Sequence, residues 1–201
     1  NLAFEGYSVN QALYILSNMK YKTKDVKTIN ILLTSPWHNV RALCIPDFSR
    51  GSPKYKINKS NTGVILTGRC QSFLDNFPEP LKRLLWAVLY RSKIRSIFKN
   101  YIYTNNSHNM DLYIELISEM KKISDNRNEH FLVAYSKIKD KINYLEEIKK
   151  RNIDSVDVTL APSEELRDEK YTIHQLDQHP SPLANYHSAQ IIYTFIEKNY
   201  F

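Results

Sequence analysis

The stretch HQLDQHPSPLANYHSAQIIYTFIEKN places an acid and a histidine two residues apart, Asp177 and His179, with Pro180 next and a long apolar-periodic segment behind. A histidine that acts as general base needs its second ring nitrogen held by an acceptor. That contact fixes the tautomer and stabilises the imidazolium once the proton has moved. Asp177 and His179 can supply the pair from one tight loop, stiffened by Pro180 and anchored by a helix opening at Pro182. The plainer reading is a capping aspartate beside a surface histidine.

Two stretches upstream carry groups that could hold a developing negative charge. In NLAFEGYSVNQ, Gly6 lets the backbone come close to a ligand and can turn an N–H toward it, or it merely permits a turn. Gly6-Tyr7-Ser8 also reads as a degenerate Gly-x-Ser-x-Gly elbow, with Ser8 as nucleophile and Asp177 and His179 following in α/β-hydrolase order. The closing glycine is missing, and that fold carries its acid and base on separate loops, so Ser8 reads better as a helix cap. In TSPWHNVRA, His38 and Asn39 could donate to an oxyanion by side chain and Arg41 by charge. Trp37 walls an acyl pocket or packs in the core; Ser35 is a cap or a nucleophile; Pro36 suits the first turn of a helix.

The rest of the chain offers less. His108, His130, His174 and His187 share no metal-ligand spacing with cysteines or carboxylates, so no metal is expected. Only four glycines are present, too few for a phosphate-cradling loop or a dinucleotide fingerprint.

These groups need strands and helices to hold them. Asn1–Phe4 is a short strand candidate, and a helix capped by Ser8 or Asn10 runs to about Lys20, with Ala12, Leu13, Leu16 and Met19 on one face. Thr28–Thr34 is a continuous apolar run and predicts a buried strand of a parallel sheet. Residues 46–70, punctuated by glycines and Pro53, predict an irregular loop and a hairpin. Pro80–Lys99 predicts a long helix with Leu81, Leu84, Leu85, Val88, Leu89 and Ile97 inward, and Asn109–Ile123 a second amphipathic helix. His130–Tyr135 is a further buried strand, Lys137–Lys150 a helix, 155–160 a third strand, and Pro182–Asn199 the closing helix. Strands alternating with helices predict an α/β sheet with helices on both faces, whose ligands bind beyond the carboxyl ends of the strands. All three chemistry-bearing stretches follow predicted strands.

Composition sets outer bounds. A chain of 201 residues with 42% hydrophobic and 24% charged content is an ordinary soluble globular domain in class. No apolar run approaches the roughly 18 residues of a membrane helix, so no integral membrane segment is expected. The net charge is +7. Most of the cations are scattered over predicted helices among acids, which argues against a dedicated nucleic-acid surface. Cys44 and Cys70 stand in different segments, and free thiols and a bridge are equally open.

Taken in order, the three stretches resemble the later blocks of the SGNH (GDSL-type) hydrolase family. NLAFEGYSVNQALYIL is similar to the second block, where a glycine N–H serves the oxyanion hole. INILLTSPWHNVRA stands where the third block, usually Gly-x-Asn-Asp, belongs. YTIHQLDQHPSPLANYHSAQIIYTFI is similar to the last block, Asp-x-(x)-His-Pro before a helix. The segment from RALCIPDF through SPKYKINKSNTGVILTG resembles an insertion of a bacterial subgroup.

The resemblance implies one domain over residues 1–201, a three-layer α/β/α sandwich with a parallel sheet, flavodoxin-like, with an inserted hairpin and helices at about 46–100. It implies a serine-type esterase or acyltransferase acting on a small-molecule, lipid or glycan ester, such as an O-acetyl group. Asp177 and His179 would be the acid and base, Gly6 and His38 or Asn39 the oxyanion donors with His38 preferred, and no metal or organic cofactor is required. The Gly-Asp-Ser block is absent, so the nucleophile is expected upstream of residue 1, on a strand missing before the abrupt NLAF start. A non-catalytic binding module with a basic surface on the same fold is the rival.

Overall fold

The computed structural model describes residues 8–20, 27–44, 49, 51–58, 63–71, 77–91, 107–137, 143–159, 172–174 and 177–201. The chain divides into two compact units, one of Asn1–Lys20 with Trp37–Glu119, the other of Tyr21–Pro36 with Met120–Phe201. The strand expected at Asn1–Phe4 lies outside the described residues.

In the first unit, α1 (Val9–Asn18) buries Val9, Leu13 and Leu16. It opens at Ser8, whose N–H and hydroxyl both donate to Gln11 Oε1, at 2.6 and 3.1 Å. This is the returning half of a capping box. The short helix α2 (Pro36–Ala42) takes Pro36 at its first position, where the missing N–H costs nothing. The expected hairpin is present as β2 (Pro53–Ile57) and β3 (Val64–Arg69), paired antiparallel with a register shift between Lys54 and Tyr55. Gly68 sits at that bulge with φ +132, a backbone conformation that side chains resist.

A disulfide joins Cys44 to Cys70, Cα atoms 5.2 Å apart, and so ties the end of α2 to the end of the hairpin. Asn10, fully buried, makes a second tie: its Nδ2 donates to Ala42 O and to Pro53 O, both at 2.9 Å. Ser49 Oγ adds a third by donating to Arg41 O at 3.1 Å. The unit also holds α3 (Glu79–Arg91) and the start of α4 (Ser107–Asn126), whose stripe of Leu112, Tyr113, Leu116, Ile117 and Met120 is buried.

The second unit is built on a parallel sheet, β1 (Ile29–Thr34), β4 (His130–Tyr135) and β5 (Asp154–Asp157), in the order β1-β4-β5. β4 is central, and Phe131 through Tyr135 are all buried. Side chains alternate across a strand, so Asn30, with its bonds to Ser124 Oγ of α4 and to Glu129, marks one face. His130 and Asp154 fall on the other, where His130 stacks on Tyr200 at 4.5 Å and Asp154 accepts from the Tyr200 hydroxyl at 2.8 Å. α4 thus lies on the first face, and Tyr200, at the end of α6 (Pro182–Tyr200), meets the second at the starts of β4 and β5. α5 (Tyr144–Lys150) packs against β5 in the β4-to-β5 crossover. A small antiparallel pair, β6 (Thr172–His174) and β7 (Asp177–Pro180), leads into α6.

Several boundaries and faces differ from the sequence reading. β1 is not a buried strand: it has a neighbour on one side only among the described residues, and Ile31 and Leu33 are 46% and 59% exposed. An apolar run records what could be buried; the position in the sheet decides what is. Leu81 and Leu84, expected inward, are exposed on α3, while Val88, Leu89 and Ile97 fall outside the described side chains. The helix expected from Lys137 begins at Tyr144, after Asn143 in the left-handed region, and the strand expected at 155–160 is Asp154–Asp157.

Candidate functional site

α2 begins one residue beyond β1, so His38, Asn39 and Arg41 follow the carboxyl end of a parallel strand. His38 is half-buried. Burial first, and the Arg41 guanidinium one helical turn on, hold its pKa down at about 4. The imidazole is therefore neutral at pH 7, with one N–H to donate and no charge to be neutralised. Such a ring suits a donor to a developing oxyanion better than a general base, whose pKa should lie near the working pH. Asn39 is 2% exposed. Trp37 meets the His38 ring edge-on at 5.8 Å and is 41% exposed, so it is not the core residue that was one of its two expected roles.

Asp177 and His179 stand on β7, not in a tight loop. Asp177 pairs with His174 and Pro180 with Thr172 across the hairpin. The register shifts between these two pairs, so strand alternation does not fix the faces of positions 177 and 179; the placement of their side chains lies outside the described residues. The chain then turns at Ser181, whose hydroxyl accepts from Ala184 N–H at 3.2 Å and caps α6. Gly6 lies outside the described residues.

Ser8, the rival nucleophile, is 4% exposed, and its hydroxyl donates to Gln11. Ser35 is 3% exposed, and its hydroxyl has no hydrogen-bond partner among the described residues, so it is not a side-chain cap for α2. Asn10, one of the two candidate caps of α1, lies inside the helix behind the cap Ser8 and fastens α2 instead; of the two outcomes open for Cys44 and Cys70, the structure has the bridge.

His38, Asn39 and Arg41 share α2 in the first unit; Asp177 and His179 share the strand β7 in the second. Among the described residues no three His, Cys, Asp or Glu side chains gather as a metal-ligand set. At the carboxyl ends of β4 and β5, Lys137 Nζ lies 3.2 Å from Asp157 Oδ2. Thr159 N–H donates to Asp157 Oδ1 at 3.0 Å, and Lys137 N–H donates to Thr159 Oγ1 at 2.6 Å. Burial raises the Asp157 pKa, but the Thr159 and Lys137 contacts outweigh it and leave the carboxyl below its usual range. Asp157 is thus an ionised, occupied acid at the strand ends. A shallow, open depression of about 310 Å³ runs along α6, lined among the described residues by Tyr186, Ala189, Gln190, Tyr193 and Thr194.

Comparison with protein-family models, with curated proteins and with solved structures finds no match to this chain.

Proposed function

We propose that the chain carries the acid–base half of an SGNH-type acyl-ester hydrolase or acyltransferase. The observation that supports this reading most is the run from Asp177 to Ser181. An Asp-x-His-Pro segment leads through a serine cap directly into the last helix of a unit built on a parallel sheet. That is the setting in which the resemblance expects the triad acid and base. On the same reading the parallel sheet is the core of a three-layer, flavodoxin-like α/β/α fold. On that reading a further parallel strand in the same sheet would bring the serine that the matching motif requires.

The steps follow from the groups. His179 takes the proton of the serine hydroxyl as the oxygen attacks the acyl carbonyl, and Asp177 holds the imidazole and the imidazolium that forms. The resemblance gives the oxyanion to Gly6 and to His38 or Asn39, and of the last two the half-buried His38 is favoured over the 2% exposed Asn39. Arg41 adds positive charge near the same helix. His179 then returns the proton to the departing alcohol, and water or an acceptor alcohol repeats the sequence to release the acyl group.

The test is p-nitrophenyl acetate hydrolysis by protein that includes the encoded upstream segment, against its His179→Ala variant. The variant should be slower by about 10³-fold or more, as expected for losing one triad member. Equal rates would remove His179 from the mechanism and leave the non-catalytic module as the reading.

A further inference from the structure

α3 turns apolar side chains to solvent. Leu81 is 42% exposed and Leu84 61%, and Ala87 is exposed as well. The i, i+3, i+6 spacing keeps the three on one side of the helix. Arg83 flanks this stripe one turn before Ala87, its side chain 86% exposed and its Nε 4.0 Å from Glu79 Oε2. Isolated surface leucines are common, but apolar side chains gathered on one helix with cations beside them mark a contact surface.

The charge of the surrounding chain says what kind of contact. Residues 79–99 hold six Lys and Arg against the single acid Glu79, a net +5 of the whole chain's +7. Three of the six, Lys82, Arg83 and Arg91, stand on α3, and the sequence just beyond it carries the others; a helix with an outward apolar stripe in so basic a stretch of sequence is the pattern of a segment that lies on a lipid surface. A nucleic acid would satisfy the cations and leave Leu81 and Leu84 in water; an anionic bilayer satisfies both. No helix among the described residues is long and apolar enough to cross a membrane, so the helix would lie on the surface and not span it.

We propose that α3 docks the protein on the surface of an anionic lipid bilayer, with Leu81 and Leu84 entering the headgroup–acyl boundary and Arg83 among the phosphates. The attachment is reversible and salt-sensitive, because charge attraction to the surface falls off within a Debye length. It needs no ester chemistry, so it stands or falls apart from the esterase reading.

The experiment is co-sedimentation of the full chain with large unilamellar vesicles of phosphatidylcholine alone or with about 30% phosphatidylglycerol. The chain should bind the anionic vesicles at least about tenfold more tightly than the neutral ones, and more weakly as NaCl rises from about 50 to about 300 mM. Leu81→Glu with Leu84→Glu should weaken binding to anionic vesicles by about tenfold or more. Circular dichroism and the unfolding midpoint should stay unchanged, since both positions face solvent. Arg83→Glu should weaken it severalfold and decides alone if the double variant does not fold. Failure of the unaltered chain to bind, or either variant binding as tightly as the unaltered chain, would overturn the proposal. Tighter binding to a DNA duplex than to the vesicles, untouched by the leucine changes, would overturn it too.

Discussion

His38 is neutral because it is withdrawn from water beside a guanidinium, and that has a consequence for stability. Its folded pKa of about 4 lies below the ordinary 6.5, so the unfolded chain binds a proton more readily than the folded one. The stabilisation is complete above pH 6.5 and is lost as pH falls toward 4, by about 3 kcal/mol in all. Urea unfolding at a series of pH values should show this fall in the unaltered protein, and His38→Gln should lack it, so that the stability difference between the two proteins changes as pH falls from 6.5 toward 4. Parallel curves for both would mean that the ring is not shielded. Side-chain chemistry alone marked His38, Asn39 and Arg41 as possible oxyanion donors. Only burial separates them: Asn39 is enclosed and His38 is partly open. Asn10 shows the reverse case. Its side chain fastens two carbonyls 32 and 43 residues away, and no local pattern can announce partners that distant.

At the level of elements, the amphipathic pattern of Asn109–Ile123 and the apolar block His130–Tyr135 translate directly into α4 and β4. The closing helix likewise opens at Pro182, as its capping serine and first-turn proline suggest. Ser181→Ala should cost about 1 kcal/mol of stability and loosen the first turn of α6, two residues beyond His179. Urea denaturation and amide hydrogen exchange at Ala184 would measure the two effects, and unchanged exchange would deny the cap its role. β1 and α3 failed differently. Their residues are as apolar as those of buried elements, yet Ile31, Leu33, Leu81 and Leu84 face outward. Periodicity reports which side of an element is apolar; it does not report whether anything lies against that side.

For the whole molecule, the Cys44–Cys70 bridge spans 26 positions of sequence. Closing a loop of that size should stabilise the fold by about 3–4 kcal/mol through loss of chain entropy in the unfolded state. Both tryptophans, Trp37 and Trp86, belong to the unit that contains the bridge. Tryptophan fluorescence during urea unfolding therefore reads that unit, and its midpoint should fall on reduction or in Cys44→Ser with Cys70→Ser. An unmoved midpoint would mean that the bridge does not form in solution.

By itself the sequence determined the class of element nearly everywhere it is described, the parallel character of the sheet, the inserted hairpin, and the residue types able to move a proton or receive an oxyanion. These follow from local preferences: side-chain periodicity, turn-forming glycines, capping serines and prolines. The tertiary structure decided the rest: that Ile31 and Leu33 of β1 are exposed, that two cysteines 26 positions apart meet, that Asn10 fastens α2 to the hairpin, and that His38 is neutral. Each of these depends on what lies beside a residue in space, and burial, charge and hydrogen-bond partners are properties of neighbours brought together from distant parts of the chain.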